Sequence, residues 1–197
     1  MLVIDGKLRD ELVRAYAAPE RHYHDLTHIE TMLGLMHTYE DALADPAAVE
    51  AAIWFHDAIY DTRRHDNEEK SAELAVSRLA GLLSPDRISR VATMIRATAG
   101  HNVPGGLDDT QQRDCALFLD MDLAILGGTP DLFDAYEEAV RREYAWVPDA
   151  LWRDGRRKVL ESFLDRPVIY ASPQFHARHE AAARANLTRS LERLARP

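Results

Sequence analysis

The 197-residue sequence predicts an all-α protein, and three observations carry that expectation. First, helix starts recur. Asp45-Pro46, Ser84-Pro85, Thr129-Pro130 and Ser172-Pro173 each set a side-chain acceptor at the N-cap and a proline at the first helical position, where the missing N–H costs nothing. Second, apolar residues return at spacings of three and four, as in Leu26, Ile29, Leu33 and Met36, and again in Val91, Met94 and Ile95. Third, no stretch alternates apolar and polar residues long enough to make a useful strand. The segment "RPVIYAS" (166–172) reads as a connector between two helices.

These signals place helices near 5–18, 26–43, 46–60, 67–82, 85–99, 109–126, 130–145, 149–164 and 173–194. The third helix begins at Asp45-Pro46 and carries Val49, Ile53 and Phe55. The fourth begins at Asp66, with Glu69 three residues on as a capping-box variant. The sixth runs through "CALFLDMDLAIL" and stops at Gly127-Gly128. The next two Pro-marked starts open the seventh and ninth helices. No Pro/Gly/Ser-rich linker divides the chain, so residues 1–197 read as one domain, long enough to bury a core without disulfides. The most flexible stretch is "AGHNVPGG" (99–106).

A hydrophobic fraction of 46% with 29% charged residues fits an ordinary soluble globular protein. The net charge of −9, with no basic block, disfavours nucleic acid as a partner, because a phosphate backbone would be repelled. Cys115 is the single cysteine, which excludes a disulfide framework and a Cys-based metal site and suits a reducing compartment. The N-terminal "MLVIDGKLRDELV" lacks the apolar core of a signal peptide. No apolar run approaches the roughly 20 residues of a membrane span. A cytoplasmic location is the expectation, with no membrane partner.

Polar residues in apolar places carry the chemistry. In "AAIWFHDAIYD", read as mid-helix, His56 and Asp57 interrupt Ile53, Trp54, Phe55 and Ile59. A buried carboxylate needs a cation, and the nearest basic residues in sequence are Arg63 and Arg64, in the loop beyond. Imidazole beside carboxylate suits a divalent ion. The plainer alternative is a core hydrogen bond from His56 and an Asp57 that faces water. Asp120 and Asp122 repeat the oddity; two residues apart, they diverge by about 200° around a helix. His28, in "YHDLTHIETML", stands in the first turn of its helix, where the backbone dipole disfavours a protonated ring.

The order His28, then His56-Asp57, then Asp122, on successive helices, resembles the HD phosphohydrolase superfamily. The stretches "RHYHDLTHI", "FHDAIYD", "DNEEKSA" and "LDMDLAILG" are similar to one subgroup of metal-dependent hydrolases in it, over roughly residues 20–127. The resemblance implies an HD-domain helical bundle: a metal-binding core at 20–127, completed by additional C-terminal helices at 129–197. It implies His28, His56, Asp57 and Asp122 as ligands of one divalent metal ion: manganese, magnesium, iron, cobalt or nickel. It further implies hydrolysis of a phosphate ester or anhydride in a nucleotide or related small metabolite. Asp122 is preferred because it precedes a leucine in "MDLAIL"; the basic residue usual after it is absent, so Asp120 remains the alternative.

By the same resemblance, Glu68 or Asp61 would orient the attacking water. From its place in the flexible stretch, a His101 that faces the metal would bind phosphate, donate a proton or serve a second ion. Arg21 would hold phosphate through a guanidinium fork, His24 would contact substrate, and Arg63 with Arg64 would select an anion. For each, ordinary surface chemistry is the competing explanation, and His176 and His179 in "FHARHE" read as surface residues. Two other functions stay open. A di-iron oxygenase of HD-like fold is disfavoured, because Ala58, Ile59 and Tyr60 stand where it needs a histidine, while His101 keeps a dinuclear centre open. A catalytically silent nucleotide-binding module would also keep the ligands. The C-terminal helices, with Trp146, Trp152, Phe163 and Phe175, could shape the substrate pocket or a homodimer surface.

Overall fold

The structure, a computed structural model, describes Ile4 and residues 6–195. Among the described residues it is all-α, with nine helices and no strand. They are α1 (Gly6–Tyr16), α2 (Leu26–Thr38), α3 (Pro46–Phe55), α4 (Asn67–Leu79), α5 (Pro85–Ala97), α6 (Asp109–Asp122), α7 (Pro130–Glu143), α8 (Asp149–Leu164) and α9 (Pro173–Leu194). Short 3-10 turns follow α2 at Glu40–Ala42 and α6 at Leu123–Gly127. No described helix is long and apolar enough to cross a membrane.

All four capped proline starts form. Asp45, Ser84, Thr129 and Ser172 accept from the backbone N–H of Ala48, Arg87, Leu132 and Phe175 respectively. The capping box expected at Asp66 does not form. Asp66 is the N-cap residue of α4 but makes no side-chain cap bond. Its carboxylate takes Arg64 at 2.7 Å, and Glu69 takes Arg96 through two 2.7 Å bonds. Charged partners win over backbone amides at both positions.

The chain forms two compact units, residues 1–121 and 122–197. In the first, α3 carries one charged residue, the half-buried Glu50, and Ala48, Val49 and Ala51 through Phe55 are all buried. A helix so largely apolar belongs in a core, and α2, α4 and α5 pack against it. Each fully buried Ile or Phe side chain contributes roughly 1.5–3 kcal/mol.

The structure ends α3 earlier than the sequence suggests, at Phe55 rather than residue 60. His56 is the C-cap, and Asp57 lies beyond the helix. The cause is distant in sequence. The Arg21 guanidinium donates to the carbonyls of Asp57 at 2.8 Å and Ala58 at 3.2 Å. These oxygens are thereby satisfied without a further helical turn.

In the second unit, the 3-10 turn at Leu123–Gly127 packs on α9, and α8 also packs on α9. Tyr170 donates its hydroxyl to Leu123 O at 3.0 Å, and the Asn186 amide donates to Leu126 O at 2.9 Å. Gly127 is required by contact: a Cβ there would stand 2.6 Å from the Cβ of His179. His179 is therefore half-buried rather than a surface residue, with its ring stacked on Phe175 at 5.3 Å. His176 is exposed, 3.4 Å from Glu180.

Candidate metal centre

Three helices of the sequence-predicted core bring the ligand-like residues together. Asp25 caps α2, accepting from the N–H of Thr27 at 2.8 Å and of His28 at 3.3 Å. That cap fixes His28 in the first turn, where it is 7% exposed. His56 closes α3 at 1% exposed. Its Nδ1 lies 2.9 Å from Ile53 O. A carbonyl only accepts, so Nδ1 carries a proton and Nε2 is left to face the centre.

That Nε2 faces Nε2 of His28 at 3.3 Å. Asp122 is the last residue of α6. One ligand atom each from His28, His56 and Asp122 lies within 4.8 Å of the others, a group that could hold a metal ion. The donor set fits such an ion on geometry. Two nitrogens each about 2.1 Å from one ion, at 90° to 109°, stand about 3.0–3.4 Å apart, and the observed pair falls inside that span. The chemistry fits as well, since neutral imidazoles and a carboxylate are the ligands of borderline divalent metals. Asp57 Oδ2 lies 3.1 Å from the same His56 nitrogen. Phe118 closes the apolar side, edge-on to the His56 ring at 5.9 Å. Asp120 is buried at 1% exposed and lies outside the three-residue group.

The remaining predicted residues divide. His24 is half-buried beside the centre; its ring centroid is 6.2 Å from that of His28, and it stacks on Tyr60 at 4.4 Å. Arg21, expected as a phosphate fork, is 8% exposed and does something else. It donates to the carbonyls of His24, Asp57 and Ala58 and lies over the rings of Tyr16 and Tyr60. It ties the segment before His28 to the segment after His56.

Asp61 and Arg63 are exposed and engaged in their own loop. The Arg63 N–H donates to Asp61 Oδ1 at 2.9 Å, and Asn67 bonds both backbone groups of Asp61. Glu68 is half-buried in the first turn of α4. His101 is half-buried with φ 46°, in the left-handed region that non-glycine residues enter at a cost. Neither belongs to the His28–His56–Asp122 group. The sequence reading missed the aromatic wall. Tyr23 packs on His28 at 5.0 Å and on His24 at 5.0 Å. Its adjacency to His24 was visible in sequence, but its contact across the turn was not.

Comparison of the chain with protein-family models, curated proteins and solved structures found no match.

Proposed function

We propose that the protein is a metal-dependent phosphohydrolase of the HD superfamily, acting on a phosphate ester or anhydride of a nucleotide or related small metabolite. One observation carries the reading: two buried imidazoles meet nitrogen to nitrogen at 3.3 Å, with Asp122 in reach of both. One divalent ion held there, whether manganese, magnesium, iron, cobalt or nickel, would make water nucleophilic near neutral pH and offset phosphoryl charge.

The chain supplies the rest. Ile53 O fixes the His56 tautomer, which keeps the lone pair aimed inward. Asp57 and Asp122 contribute the negative charge that a cation requires. Arg21 holds both ligand-bearing segments in register by three carbonyl bonds. His24, stacked on Tyr60, is placed to meet a substrate oxygen or pass it a proton. Glu68 is favoured over Asp61 for orienting the attacking water, because Asp61 Oδ1 already accepts a backbone N–H. Arg63, exposed, is the cation suited to meeting an anionic substrate. A phosphorylated small molecule and a cytoplasmic setting complete the reading.

The test is metal analysis with a phosphate-release screen over phosphorylated metabolites in added manganese. Wild type should carry about one ion per chain and release phosphate from at least one compound. His56→Ala should lose the ion, and turnover should fall at least about 100-fold. A His56→Ala protein that turns over fully while metal-free would end the proposal.

A further inference from the structure

A cavity of 280 Å³ with mixed polar and apolar walls opens in the first unit between α5 and α6, at the start of α3. It is separate from the metal centre. Ala48 lines it, and His56 lies eight residues further along the same helical path, about 12 Å away at 1.5 Å per residue. Gln111, Asp114 and Cys115 of α6 form one wall. Asp86, Ser89, Arg90, Thr93 and Met94, at helical spacing on α5, form the other.

The chemistry of these walls is uneven. Asp114 is 4% exposed and already used, accepting the N–H groups of Ala44 and Asp45 at 2.8 and 2.9 Å. Cys115 is 1% exposed, and burial pushes its thiol up to about 12, so it acts as an apolar surface. Gln111 Oε1 accepts the Asp108 N–H at 3.2 Å, which directs its amide donors elsewhere. Asp86 and Arg90 differ. They stand one turn apart on the same face of α5, and neither side chain forms a hydrogen bond or close ion pair with another described residue, the nearest charge acting on Arg90 being the more distant Asp108 carboxylate. The hydroxyls of Ser89 and Thr93 lie between and beyond them on that face. Ala48, Met94, Leu107 and Cys115 supply the apolar lining.

We infer that this cavity is a binding site for a small zwitterion with an aliphatic body, of the amino-acid type. Arg90 with Thr93 takes the carboxylate, and Asp86 at the rim takes the ammonium. The aliphatic part lies against Met94, Leu107 and Cys115. Two opposite charges left apart on one turn suit a ligand that carries both charges, and a simple anion would be repelled by Asp86. The lining holds no aromatic ring, which removes the stacking that a nucleobase would require. The volume lies just below the usual small-molecule range of about 300–1,000 Å³, so the occupant is small. This inference does not depend on the proposed hydrolase activity.

The experiment is thermal unfolding and calorimetry of the full chain with four probes: L-leucine, 4-methylpentanoic acid, isoamylamine and inorganic phosphate. L-Leucine should raise Tm by about 2 °C or more at saturation. 4-Methylpentanoic acid lacks the ammonium and isoamylamine lacks the carboxylate; each should bind at least about 10-fold more weakly. Arg90→Ala and Asp86→Asn change exposed or half-exposed side chains, so both should fold with wild-type circular dichroism. Each should weaken L-leucine at least about 10-fold. The inference is overturned if L-leucine does not bind, if either truncated probe or phosphate binds as tightly, or if both variants bind L-leucine normally.

Discussion

The two compact units handle buried charge in different ways. In residues 122–197, cations and carboxylates of the chain answer one another. Arg156, 8% exposed, donates to Glu137 and to the Tyr136 hydroxyl. Asp134 accepts Arg189 at 2.8 Å and Arg193 at 2.7 Å, and these two guanidiniums hold its carboxyl below the ordinary range. In residues 1–121, the most buried polar rings are His28 and His56, which face one another beside the Asp57 carboxylate. There, the buried guanidinium of Arg21 goes to backbone carbonyls. Net charge follows the same division: residues 1–121 carry 12 Lys/Arg and 21 Asp/Glu, hence −9, while residues 122–197 carry 12 of each. The lesson concerns what a buried polar group is for. Where opposite charges of one chain meet, the arrangement is complete and serves stability. Where two imidazoles and a carboxylate converge, the group could hold a metal ion.

The sharpest way to break this contrast is to damage the second unit's ion network. Arg156→Met leaves the half-buried Glu137 without its cation and should destabilise by about 2–3 kcal/mol in urea unfolding. Converting Glu137 to Met as well should recover most of that loss, since the isolated charge disappears. If the single variant is as stable as wild type, the network is not what holds this unit. Gly127→Ala comes next. The added Cβ would meet both the side chain and the backbone of His179, and overpacking of this kind costs about 1–3 kcal/mol. The same measurement should show it.

The smallest effect sharpens the comparison through pH. Burial alone would raise the Glu180 carboxyl, but the Tyr170 and Ile169 N–H groups and Arg184 outweigh it and hold it below its ordinary 4.5. The folded value is thus lower than the unfolded one. Its stabilisation is present above about 4.5 and is lost as pH falls through the folded value. Glu180→Gln should therefore cost about 1–2 kcal/mol at pH 7, with the gap closing toward pH 3. A gap independent of pH would mean that shape rather than charge sets the role of Glu180.

Much of the fold was legible because its signals are local. A capping side chain and a proline lie next to each other in sequence, and the four starts so marked all form. The end of α3 was not legible, because its cause, Arg21, lies 36 residues from the carbonyl of Asp57 that it satisfies. The capping box at Asp66 failed to charge competition, local at one residue and distant at the other: Arg64, two residues away, takes the Asp66 carboxylate, and Arg96, 27 residues away, takes that of Glu69. At the centre, His28, His56 and Asp122 stood out as polar residues in apolar helices, and burial leaves such residues few structural roles. The task of Arg21 did not stand out, since a guanidinium that grips backbone oxygens leaves no side-chain partner to find in the sequence. The α5–α6 cavity was likewise invisible, being a property of the space between two helices.

Cys115 carries a practical consequence. With Cys115 1% exposed and its thiol pushed up by burial, the chain's one thiol resists air oxidation and alkylation. The protein can be prepared without mercaptan reducing agents, which strip metals by chelation. Ion content can then be counted on material taken directly from the cell, and a cysteine introduced at the surface would be the sole target for a maleimide probe.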